Sequence, residues 1–68
     1  NMGSTTLSAL IIALSTWTGA TGYLNVGSNQ ISLISELSAP AQAAWGVMTN
    51  AENPSYNGAW DGGVEGLT

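Results

Sequence analysis

The sequence contains no lysine, no arginine, no histidine and no cysteine. Each absence removes a class of function. Without Lys or Arg the chain cannot neutralise phosphates along a nucleic-acid backbone, so nucleic-acid binding is set aside. The same lack removes the forked donors that grip phosphate or carboxylate ligands. It also removes the basic cluster that draws a protein to anionic lipid. Without His or Cys there is no imidazole base, no thiolate nucleophile and none of the usual transition-metal ligands. Disulfides are excluded, and neither a cofactor nor a metal is expected. Four carboxylates remain, Glu36, Glu52, Asp61 and Glu65, giving a net charge of −4. They are scattered along the chain, which argues against the paired carboxylates of glycoside hydrolysis. The sequence reads as a non-enzyme.

Charged residues make up only 6% of the chain, against roughly a quarter in ordinary globular domains. No charged side chain precedes Glu36. The polar surface must therefore come from Ser, Thr, Asn, Gln and Gly. Such a surface offers little colloidal repulsion, which suits dense packing against neighbours. At 68 residues and 44% hydrophobic content, the chain is expected to form one small domain, 1–68, rather than a disordered segment. A core this small is commonly reinforced by disulfides, a metal or association. Composition leaves association.

The pattern that is present points to helices. Leu7, Leu10, Ile11, Leu14 and Trp17 recur at helical spacing, and Ser4, Thr5 and Thr6 precede them as candidate caps. A helix is predicted over 5–18. At about 1.5 Å per residue it reaches roughly 21 Å, short of the about 30 Å of a bilayer core. Membrane contact stays open, but a transmembrane span is not expected. Gly19, Gly22 and Gly27 then mark a turning region.

Behind Ser28 and Asn29, a second stripe runs through Ile31, Ile34, Leu37, Ala41, Ala44, Trp45 and Met48. Pro40 breaks it, because proline suits the first turn of a helix and not its interior. Two further helices are therefore predicted, over 29–37 and 39–49, the latter capped by Ser38. The helical part, 5–49, is followed by a Gly/Asn/Pro-rich irregular tail over 50–68. Its turn signals are Asn53-Pro54-Ser55, Asn57-Gly58 and Asp61-Gly62-Gly63. The expected fold class is all-α.

Three functional readings compete on this basis. Leu7, Leu10, Ile11, Leu14, Trp17, Ile34, Leu37, Trp45 and Met48 are the candidate oligomer-interface residues. They support a non-enzymatic structural subunit of an exported homo-oligomeric assembly, a surface filament or a helical pore-like assembly. An extracellular or cell-surface setting agrees with the missing tryptic sites. The partner is then a second copy or, in the alternative, a larger membrane or surface complex of which this is a small accessory subunit. Tyr56, Trp60 and Asp61 are candidate ligand contacts. With Trp45 they combine flat rings and polar groups in the manner of a glycan- or peptide-binding module. Asn57, Asp61 and Glu65 also present oxygen at every fourth residue. Calcium takes about 6–8 oxygens, so these residues read better as a turn with solvated acids.

Overall fold

The helix predicted from Pro40 and Ser38 forms as expected, and it organises the rest. In the computed structural model, which describes residues 2–18 and 22–68, α2 spans Ala39–Thr49. The Ser38 hydroxyl accepts from the Ala41 amide at 3.3 Å, and Pro40 lies in the first turn, where a missing N–H costs nothing. Ala41, Ala44, Trp45 and Met48 form its buried face. Small residues at Ala41 and Ala44 let α1, Ser4–Leu14, approach closely with Leu7 and Ile11. The buried Ser8 joins the two helices by accepting from the Ser38 amide at 3.0 Å.

The architecture is a small mixed α/β fold, not the expected all-α one. Strand β1, Tyr23–Asn25, pairs in parallel with β2, Gly63–Glu65. The register places Tyr23 beside Gly63, Leu24 beside Val64 and Asn25 beside Glu65. Parallel neighbours need a long crossover, and here that crossover carries α2. A three-residue strand offers too little alternation for periodicity to detect.

Three expected boundaries change with it. The first helix stops at Leu14 rather than Thr18 because its last carbonyls find other donors. The Ser15 hydroxyl donates back to Ile12 O at 2.6 Å and the Thr16 hydroxyl to Ala13 O at 2.7 Å. Such local bonds compete with continuation of the helix. The helix expected over 29–37 is reduced to a single 3-10 turn, Ile34–Glu36. Both ends of the chain occupy its donors and acceptors instead. Asn29 Oδ1 accepts from the Met2 amide, and the Gln30 amide donates to Met2 O. Two residues further on, Thr68 donates to Ser32 O and accepts from the Ile34 amide, at 3.0 and 2.9 Å. The turn expected at Gly19 lies outside the described residues.

The tail is the third correction. Mostly turns, it nonetheless carries β2 and supplies Ala59, Trp60 and Leu67 to the core, beside Val26, Ile31 and Leu37. Asparagines shape its turns. Asn50, Asn53 and Asn57 each accept, through the side-chain oxygen, the amide two residues on, at 2.8–3.0 Å. This is the chemistry that makes Asn a turn former. A second 3-10 turn, Gly58–Trp60, follows Asn57 directly. The whole chain exposes 3909 Å², close to the about 4,000 Å² that a folded monomer of its mass exposes. The core is closed within one chain.

Candidate functional site

The carbonyls at the end of α1 define a polar junction built by three side-chain donations from the tail. A helix C-terminus leaves several carbonyls without intrahelical partners and carries partial negative charge. Cationic side chains often answer it, but this chain has none. Neutral donors from the tail do so. The Trp60 indole N–H donates to Leu14 O at 3.0 Å, and Asn57 Nδ2 donates to Ser15 O at 2.9 Å and also to Trp17 O. The Asn57 backbone is itself fixed by donation to Val47 O at 2.8 Å.

Trp60 is thereby drawn inside, only 8% exposed. A Cβ on Gly22 would stand 3.0 Å from Cε3 of its ring, so the absence of a side chain at Gly22 permits this close packing. Trp17 stacks on Trp60 with ring centroids 5.5 Å apart and planes at 27°. It remains 54% exposed. The result is a flat aromatic surface, rigidly backed, with no cation near it.

The expected site residues divide sharply. Leu7, Ile11, Leu37, Trp45 and Met48 lie in the chain's own core, and Leu10, Leu14 and Ile34 pack partly buried against it. Trp17 alone among the nine interface candidates presents most of a large side chain to solvent. Of the ligand candidates, Tyr56 and Asp61 are exposed and Trp60 is not. Trp45 is buried, so the trio of Trp45, Tyr56 and Trp60 does not form one open platform. The structure brings together Trp17 and Trp60 instead. Asn57, which donates to the carbonyls of Ser15 and Trp17, was legible as a turn residue and as a possible oxygen ligand, but not as a donor to α1.

The oxygen set of Asn57, Asp61 and Glu65 is taken apart in the same way. The Asn57 carboxamide is engaged on both atoms, Oδ1 accepting from the Ala59 amide at 2.9 Å. Glu65 accepts the Tyr23 hydroxyl across the sheet, and Glu36 accepts from the Leu33 amide at 3.2 Å. Among the described residues, no three of His, Cys, Asp or Glu converge as a metal group. No helix among them is long and apolar enough to cross a membrane.

The Tyr23–Glu65 contact has a measurable signature. The hydrogen bond to Glu65 pushes the Tyr23 phenol above its ordinary value of 10.0, while the Asn25 amide, donating to the same oxygen, works the other way. The folded chain therefore holds this proton where the unfolded chain has begun to lose it. The stability this contributes is complete below the unfolded pKa and is lost as pH rises through the folded one. Urea midpoints followed from neutral to strongly alkaline buffer should fall, and Tyr23→Phe should flatten the fall. An identical alkaline profile in both proteins would remove Tyr23 as its source.

No protein-family model, curated protein or solved structure matches this chain.

Proposed function

We propose that the chain is a non-enzymatic structural subunit of an exported, cell-surface homo-oligomer that packs through the Trp17 end. The observation that carries this reading is the half-exposed Trp17, held flat against the buried Trp60. The stripes of both helices are already engaged inside the chain, so each copy enters the assembly as a folded unit. Large, rigid aromatics are the residues on which interfaces most often depend. Every copy carries −4 and no side-chain cation. A contact between two copies is therefore apolar and hydrogen-bonded, without side-chain ion pairs, and the carboxylates only oppose it.

That sign gives a test. Sedimentation at micromolar concentration should report a mass several-fold above 6.9 kDa. The mass should rise with added salt, because screening weakens acid–acid repulsion beyond about 10 Å at 0.1 M. Trp17→Ala should return the chain to a monomer of unchanged fold. A monomer at all salt concentrations overturns the proposal.

The same ring supports a second reading, a platform for an uncharged saccharide, since a sugar can lie on an exposed indole face. A monomer whose Trp fluorescence responds to one member of a neutral saccharide panel would favour it.

A further inference from the structure

Asn57 and Gly58 form the sequence's single Asn–Gly pair, and the asparagine is the one that ties α1 to the tail. The geometry points to a latent chemical modification site: deamidation at Asn57 is held back by the fold and, once it occurs, severs that tie for good. In the reaction the Gly58 backbone nitrogen attacks Asn57 Cγ. The N–Cγ bond forms, the Cγ–Nδ2 bond breaks, and the displaced nitrogen leaves as ammonia with the amide proton. Water then opens the five-membered imide at either carbonyl, giving aspartate or isoaspartate. No oxidant or cofactor is needed. Glycine favours the attack because no side chain shields its nitrogen, and asparagine is the thermolabile partner.

Three hydrogen bonds oppose the reaction in the folded chain. Nδ2 is held by Ser15 O and Trp17 O, and Oδ1 by the Ala59 amide. The backbone at Asn57 is extended, with φ −106° and ψ 108°. Swinging Cγ over the Gly58 nitrogen breaks all three contacts, so the reaction waits on local opening. Other asparagines lack the pairing. Asn53 precedes proline, which has no N–H, and Asn25, Asn29 and Asn50 precede residues with side chains.

The product cannot restore the tie. An aspartate at this position has no N–H to donate, and its charge faces the carbonyls of Ser15 and Trp17 at the negative end of α1. No Lys or Arg exists anywhere in the chain to relieve it. Isoaspartate adds a methylene to the main chain just before Gly58–Trp60, shifting Trp60 away from Leu14 O.

The experiment compares conversion in mildly alkaline native buffer with conversion in urea, read as aspartate plus isoaspartate by peptide mass spectrometry after cleavage at acidic residues. Gly58→Ala is the control. A Cβ there meets nothing nearer than Tyr56 Cε2 at 3.9 Å, so the tie is kept while the attacking nitrogen is shielded. Wild type should convert at least about tenfold more slowly when native, an opening cost of about 1.4 kcal/mol. Gly58→Ala should convert slowly in both buffers. Asn57→Asp should lose the near-ultraviolet signal of the stacked tryptophans and melt below Asn57→Ala, which loses the bonds without gaining the charge. Equal rates in native and urea buffers, or an Asn57→Asp protein with wild-type spectrum and midpoint, would overturn the inference.

Discussion

Gly66→Ala should leave little folded protein. Gly66 has φ +113°, a backbone state that side-chain-bearing residues rarely adopt. A Cβ there would also stand 2.8 Å from Val26 N and closer still to the Gly27 amide nitrogen. Both obstacles are main chain, and Val26 N is already committed to Glu65 O at 2.9 Å. No rotamer change relieves the clash. Backbone strain costs about 1–3 kcal/mol and overpacking about 1–3 kcal/mol more. A chain of 68 residues holds only about 3–10 kcal/mol in total. Near-ultraviolet circular dichroism should show the loss, with the urea midpoint collapsing. Gly58→Ala is the internal contrast, because its methyl makes only an ordinary contact with Tyr56 Cε2 at 3.9 Å. A Gly66→Ala protein that melts like wild type would mean that β1 and β2 are not joined as described.

Trp60→Ala should cost about 3–5 kcal/mol, the usual range for removing a buried large aromatic. Two further losses reinforce the cavity. Leu14 O loses its indole donor at 3.0 Å, and Trp17 loses the ring it rests on. Trp60→Phe separates these effects, since it keeps an aromatic ring and removes the N–H; an intermediate loss is expected. At dilutions that keep the chain monomeric, Trp17→Ala should change the urea midpoint far less, because more than half of that side chain is already in water. The ordering Trp60→Ala, Trp60→Phe, Trp17→Ala in decreasing damage is the result to look for. Equal effects of the two alanine substitutions would contradict the buried and exposed roles assigned to these rings.

The sequence was readable where structure is made locally. Ser38 and Pro40 announced α2 within its correct bounds, because a cap and a first-turn proline act within a few residues of themselves. It was unreadable where distant groups compete for the same backbone. Nothing near Ile31 tells that Thr68 will take the bonds of Ser32 and Ile34, so the apolar spacing there imitated a helix. The end of α1 shows the same limit. Trp17 keeps the helical stripe in register, yet Asn57 and Trp60, forty or more positions later, donate to the carbonyls of Leu14, Ser15 and Trp17 where the helix ends. The aromatic pair was visible as composition only. Which tryptophan would be buried depended on the Gly22 approach, a contact that no spacing rule encodes.

The parallel pairing of Tyr23–Asn25 with Gly63–Glu65 also orders events in time. α1 and α2 can meet once Met48 has emerged, but β1 has no partner until Val64 follows and the core lacks a wall until Leu67 is in place. Closing so long a loop carries an entropic cost before any strand contact repays it, and pairing between distant segments slows folding relative to a helical bundle. A nascent chain therefore leaves Leu24 and Val26 without their partners until the last of these residues leaves the ribosome. With so few charges to keep copies apart, that interval is when unwanted association threatens the protein most.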